Sequence, residues 1–139
     1  MTGSDEETLA ETFWAVARRL RHQSKRTLEP WEINPGQARA LAVLMRHGAV
    51  RLSALAEHLG IAPRSATEVV DGLEERGLVE RRPDPVDRRA TLVAPTEEGG
   101  RVGKAIRVAR AAEAERFFGA LDPADRAELT RILRRLRDD

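Results

Sequence analysis

Cysteine and tyrosine are both missing from this 139-residue chain. Without cysteine it cannot form a disulfide, sense oxidants through a thiolate or hold zinc on sulfur. Histidine is scarce. His22, His47 and His58 are the only three, and no two of them form a metal-ligand pair on one helical face, so neither a metal site nor a cofactor is expected. Long apolar runs are lacking as well: none reaches the roughly 18 residues of a membrane helix. The N-terminus, Met1-Thr-Gly-Ser-Asp-Glu-Glu7, is acidic and has no apolar signal core, so a cytoplasmic protein without a membrane partner is expected. The chain contains no phosphate-cradling glycine loop, no His-Glu-x-x-His and no Gly-x-Ser-x-Gly. Asp84 and Asp87 are the nearest thing to an acid/base pair. Their place on an exposed turn beside arginines is a poor one for raising a carboxylate pKa, and no enzymatic activity is expected.

What is present points to a packed, mainly helical protein. Hydrophobic residues make up 41% of the chain and fall in periodic runs, which excludes disorder. The length suits one domain with helical extensions and buries roughly two-thirds of the unfolded surface. Net charge is only +1, so bulk charge does not announce a polyanionic partner. Yet all but Lys25 and Lys104 of the 24 basic residues are arginine. Arginine suits bidentate phosphate and base contacts; a GC-rich genome produces the same bias, so placement decides.

Residues 5–27 read as a helix, with Leu9, Phe13, Val16 and Leu20 at helical spacing and Arg18, Arg19, Arg21, Lys25 and Arg26 toward its end. Two prolines in Leu28–Pro35 break the chain. Asn34 caps a second helix that begins at Pro35 and runs to about Arg46, burying Leu41, Leu44 and Met45. Val50-Arg51 forms a very short strand. A short helix over Leu52–His58 turns Leu52, Leu55, Ala56 and Leu59 inward and stops at Gly60. Pro63 opens the next helix, whose buried face is Ala66, Val69, Val70 and Leu73. Leu78–Arg82 and Ala90–Val93 read as strands around a charged turn. Thr96 and Asp122 cap two final helices, the last carrying the stripe Leu129, Ile132, Leu133 and Leu136.

Helix, helix, short strand, short helix, tight turn, helix, charged hairpin: this order is a winged helix-turn-helix, in which the second helix of the motif enters the DNA major groove. On the helix from Pro63 the outer face carries Arg64, Ser65, Thr67, Glu68 and Asp71. Arg64 suits guanine, Ser65 and Thr67 suit phosphate or bases, and the helix N-terminus favours a phosphate. Glu68 and Asp71 would repel phosphates unless Glu68 accepts from a cytosine amine or Asp71 pairs with a nearby arginine. The hairpin groups Arg81, Arg82, Arg88 and Arg89 against Asp84 and Asp87. A narrow loop with arginine at its tip fits a minor groove, and Asp87 is close enough in sequence to fix Arg89. An ordinary solvated helix face and a solvated charged turn are the bland alternatives.

Three runs make a more specific case: Leu52-Ser-Ala-Leu-Ala-Glu-His-Leu-Gly-Ile-Ala-Pro63, Val70-Asp-Gly-Leu-Glu-Glu-Arg-Gly-Leu-Val-Glu-Arg-Arg82, and Asp84-Pro-Val-Asp-Arg-Arg-Ala90. Together they resemble the MarR (multiple-antibiotic-resistance regulator) family, with Asp87-x-Arg89 the most specific part and the likeness running over nearly the whole chain. The resemblance implies a homodimer on a pseudo-palindromic double-stranded DNA operator and a transcriptional regulator, commonly a repressor. It assigns Arg89 to the minor groove with Asp87 positioning it, and Arg64, Ser65 and Thr67 to the major groove. The expected organisation is an N-terminal dimerisation helix and linker (1–36), a DNA-binding domain (37–95) and C-terminal dimerisation helices (96–139). The stripes Leu9/Phe13/Val16/Leu20 and Leu129/Ile132/Leu133/Leu136 would interlock the two copies. Many members respond to a small aromatic or anionic effector. Trp14, Arg18, His22 and Trp31 are the candidates for it here, although both tryptophans also suit a core or an interface. Departures from the family are Glu68, where a basic or small polar residue is usual, Ala94-Pro95 before Thr96, and Arg51, where Thr or Ser is common and Ser53 is left to cap the short helix. A winged-helix module that binds protein instead of DNA is the alternative function.

Overall fold

A computed structural model describes residues 6–139. Its elements are α1 (Leu9–Thr27), a 3₁₀ turn (Glu29–Trp31), α2 (Pro35–His47), β1 (Val50–Arg51), α3 (Leu52–Leu59), α4 (Pro63–Glu75), β2 (Val79–Pro83), β3 (Thr91–Pro95), α5 (Glu97–Phe118) and α6 (Pro123–Asp138). The chain divides into two compact units, Met1–Ser24 with Arg110–Asp139, and Lys25–Ala109. The fold is mainly α with a small antiparallel sheet, as the sequence predicts.

The unit Lys25–Ala109 owns the core. Leu41 and Leu44 of α2, Leu55 of α3, Val70 and Leu73 of α4 and Val93 of β3 are all sealed from solvent, and they belong to one continuous cluster. Three helix boundaries here have a local cause. Asn34 accepts from the Gln37 amide while the Gln37 side chain accepts from Asn34 N–H, a reciprocal cap behind Pro35. Gly60 takes a left-handed conformation (φ 66°) that closes α3, the backbone a glycine adopts without a Cβ penalty. Thr96 accepts from Gly99 N–H and donates to Gly77 O, which ties the start of α5 to the end of α4. A Cβ on Gly99 would strike the Leu78 carbonyl oxygen, so only glycine lets α5 lie this close to the strand entrance.

The sheet runs β1-β3-β2. Val50 and Arg81 flank Val93, while Arg51 and Arg82 flank Leu92. Both hairpin strands sit one or two residues later than expected. Leu78 is claimed by the helix before it, its amide donating to Leu73 O at 3.0 Å, while β2 runs on through Pro83. Because β2 is an edge strand, the missing proline N–H loses no ladder bond.

Four further expectations need correction. The first helix begins at Leu9, because Thr8 and Glu11 form a reciprocal cap; residue 5 lies outside the described residues. Ser53 does not cap α3. Arg51, still extended and paired to Leu92, occupies the cap position without a side-chain cap, which leaves Ser53 inside the first turn. Met45 is exposed, its sulfur resting over Gly103. Asp84 is buried, only 6% exposed, for reasons given below.

In the other unit no hydrophobic side chain is buried among the described residues. Phe117 and Phe118 meet edge to face, and the Arg19 guanidinium lies 5.8 Å from the Phe117 ring centre. Asp122 caps α6 by accepting from Asp125 N–H, and Arg126 pairs with Glu115.

Candidate nucleic-acid interface

The helix α4 presents its polar side as read from the sequence. Ala66, Val70 and Leu73 are buried, while Arg64, Ser65, Glu68 and Asp71 are exposed. Ala62 offers no side-chain cap, so the first amides of α4 are left to an outside acceptor, and the helix dipole favours an anion there. Thr67 is half-buried and its hydroxyl donates back to Pro63 O.

The two carboxylates on this face are treated differently. Asp71 is paired with Arg81 at 2.7 Å, and the same guanidinium also bonds Glu74. The Asp71 hydrogen bond holds the Arg81 pKa above its ordinary value, with Glu74 adding to it. One arginine of β2 thus bridges two acids of α4, offsetting one of their two charges, and ties the helix to the hairpin. Glu68 stays exposed with no cation against it among the described residues.

The hairpin sorts its arginines. Arg81 is taken by α4, and Arg82 lies against Glu80. Arg88 and Arg89 are exposed at the tip, Arg89 with 93% of its side chain in solvent. Asp87 accepts from Arg89 N–H at 3.0 Å and faces its Nε at 3.4 Å. An exposed guanidinium beside a turn-fixed carboxylate, on a hairpin that Arg81 ties to the later half of α4, and a helix whose N-terminus is open have the chemistry to meet a phosphate-lined groove.

Comparison with known proteins decides the family. Residues 33–91 match the model described as "MarR: MarR family". An uncharacterised HTH-type transcriptional regulator of Mycobacterium leprae is 34% identical over 113 residues, 79% of this chain and 76% of that protein. The chain belongs to the MarR family.

The HTH-type transcriptional repressor MdtR of Bacillus subtilis is 25% identical across 88% of this chain and 79% of its own length. Among solved structures, the PcaV transcriptional regulator of Streptomyces coelicolor superposes with a TM-score of 0.74 at 28% identity, covering 89% of this chain and 93% of PcaV. PcaV has also been solved with its natural ligand. This MarR-family chain is accordingly a winged helix-turn-helix, DNA-binding transcriptional regulator and not an enzyme.

One contact of this MarR-family wing escaped the sequence reading: that of Asp84, in the hairpin turn, with Arg51 of β1. Asp84 Oδ1 accepts from Val86 N–H at 2.8 Å, and its Oδ2 meets Arg51 Nε at 2.7 Å. The Val86 amide, then the Arg51 side chain, hold the carboxyl below the ordinary carboxylate range, which removes any general-acid role at neutral pH. The available signals were Asp84-Pro85 as a turn opener and the departure at Arg51.

The other expected groups fall as follows. Trp14, Arg18 and His22 are exposed along one line of α1, Trp14 edge-on to Phe13. Trp31 is half-buried against the core of the other unit. Leu9, Phe13, Val16, Ile132, Leu133 and Leu136 are exposed, while Leu20 and Leu129 are half-buried. An open groove of about 480 Å³ runs along α6, with Phe118, Leu129 and Leu133 among its apolar lining and Arg126 and Arg134 among its cations. His47 and His58 stack at 4.4 Å, which brings ring faces together instead of nitrogen lone pairs. No group of three or more potential metal ligands occurs among the described residues. No helix there is long and apolar enough to cross a membrane.

Proposed function

We propose that this protein is a homodimeric repressor that works in the cytoplasm on a pseudo-palindromic operator and is released by a small aromatic or anionic effector. The DNA-binding part, 37–95, is flanked by dimerisation segments, 1–36 and 96–139. Arg64, Ser65, Thr67 and Glu68 face the major groove, Glu68 accepting from a cytosine amine. Arg88 and Arg89 meet the minor groove and its phosphates, with Asp87 aiming Arg89. Arg81 and Arg82 add positive potential from the strand behind them. A two-fold dimer places its recognition helices roughly 34–36 Å apart, one turn of DNA. The stripes Leu9/Phe13/Val16/Leu20 and Leu129/Ile132/Leu133/Leu136 close that dimer. Effector contact falls to Trp14, Arg18, His22 and Trp31. Repression is supported by the likeness to MdtR, and an effector by the likeness to PcaV.

The observation that carries this proposal is Arg89: nearly fully exposed, yet fixed at its backbone and side chain by Asp87. The test is a gel-shift titration at two salt concentrations, using DNA upstream of the protein's own gene and then random duplexes. Wild-type binding should be tight and fall steeply with salt. Arg89→Ala should weaken it on the order of tenfold and lower the salt slope by roughly one. Undiminished binding by the variant would remove the wing from the interface. No salt-sensitive binding to any duplex would overturn the DNA reading itself.

A further inference from the structure

The tip of the wing is held from a distance. Asp84 follows the first hairpin strand, β2, and is only 6% exposed. One oxygen accepts from the amides of Val86 (2.8 Å) and Asp87 (3.4 Å). The other accepts from Arg51 Nε (2.7 Å). Two backbone bonds close the same turn, Asp84 N–H to Ala90 O at 3.1 Å and Ala90 N–H to Asp87 O at 2.9 Å. Asp87 in turn accepts from Arg89 N–H. The result is an unbroken series of hydrogen bonds from Arg51 through Asp84 and Asp87 to Arg89. Its far end is fixed, because Arg51 is both the last residue of β1, paired to Leu92, and the cap residue of α3.

We propose that Arg51 and Asp84 are positioning residues that fix the aim of the wing arginine Arg89 relative to the helix-turn-helix. The inference rests on the proposal above that Arg89 contacts DNA. A wing joined to the sheet only by its two strands would sample many tip orientations, and every lost orientation would reduce affinity on binding. The buried carboxylate prevents this by engaging the turn amides and the start of α3 at once. Charge-assisted bonds of this kind are stronger than neutral ones, and Asp84 is shielded from competing water. Arg51 is suited to the role: its Nε carries the bond, while 47% of its side chain stays exposed on the outer strand of the sheet. It reaches Asp84 across the sheet, not along the chain.

The experiment measures DNA affinity against salt for the full-length protein and its variants Arg51→Met, Arg51→Lys, Asp84→Asn, Arg89→Ala and the double variant Arg51→Met/Arg89→Ala. Far-ultraviolet circular dichroism confirms the fold of each. Arg51→Met should weaken binding about three- to tenfold with the salt slope unchanged, since no phosphate contact is lost. Asp84→Asn should do the same, and Arg51→Lys should recover part of the loss. In the Arg89→Ala background, Arg51→Met should add nothing, because it acts through Arg89. Additive losses with a salt slope lowered by about one would show that Arg51 touches DNA directly and would overturn the proposal. So would full affinity in both Arg51→Met and Asp84→Asn. If Arg51→Met folds poorly, Asp84→Asn and Arg51→Lys carry the same comparison. An Arg89→Ala variant with undiminished binding would instead sink the wing contact on which this inference stands, a distinguishable result.

Discussion

The segment Lys25–Ala109 and the terminal segments around it are built from similar material and held in opposite ways. The first closes a core of leucine and valine from four helices and a sheet, with Leu41, Leu44, Leu55, Val70, Leu73 and Val93 all out of solvent. The second has helices with apolar stripes too but buries no hydrophobic side chain among the described residues: Leu9 is 87% exposed and Leu136 68%. Apolar faces of this kind on amphipathic helices mark contact surfaces. The winged unit closes a core of its own, whereas the helical stripes stay exposed; in the proposed dimer the same stripe on a second copy covers them. Helix periodicity alone does not distinguish the two cases. What separates them is whether a second element of the same chain covers the stripe.

The largest test of this contrast lies in the core. Leu44→Ala should lower unfolding stability by about 2–5 kcal/mol, at every protein concentration, in denaturant titrations. A loss below about 1 kcal/mol, or one that depends on concentration, would mean that the winged unit is not self-sufficient. Next comes Leu136→Asp. In the proposed dimer the change removes about 1.5–3 kcal/mol of apolar burial per copy and sets like charges against each other. Light scattering should show dimerisation weakened by well over tenfold, with circular dichroism of the monomer unchanged. An unaltered dimer would place the interface elsewhere.

Much of the winged unit was legible in the chain because its signals are local. Asn34-Pro35, Gly60 and the Ala66/Val70/Leu73 period each act within one or two helical turns, and each appears in the structure where the sequence places it. The pairings between elements were not legible. That Asp71 could pair with a nearby arginine was open on the sequence, but not which arginine; the structure supplies Arg81, ten residues on. Asp84 reads as one more exposed turn carboxylate, until the β1-β3-β2 order brings Arg51, thirty-three residues earlier, against it. In an arginine-rich chain every carboxylate has several candidate cations, and strand register, which depends on the whole sheet, selects one. The apolar stripes of the terminal helices were legible as faces that the winged core does not cover, and Leu9, Phe13, Val16, Ile132, Leu133 and Leu136 are exposed.

The smallest effect expected concerns acid, and it separates the wing from the core behind it. Asp84 is held below its ordinary carboxyl pKa of 3.8 by the Val86 amide and then by Arg51. A depressed pKa means that the ionised form is favoured by folding. The stabilising contribution is therefore present above the unfolded value near 3.8 and fades as pH falls through the lower folded value. Its loss should be local, since only turn amides and one guanidinium depend on it. Hydrogen exchange at Val86 and Asp87, compared between wild type and Asp84→Asn at each pH, cancels the intrinsic pH dependence of exchange. Protection in the wild type should exceed that of the variant at pH 6, begin to narrow below about 3.8 and converge only once pH has fallen through the lower folded value, while core amides such as Leu44 and Val93 stay equal in both. Equal exchange at pH 6 would mean that the turn is closed without the Asp84 charge. A difference spreading into the α2 amides would mean that the wing and the core open together.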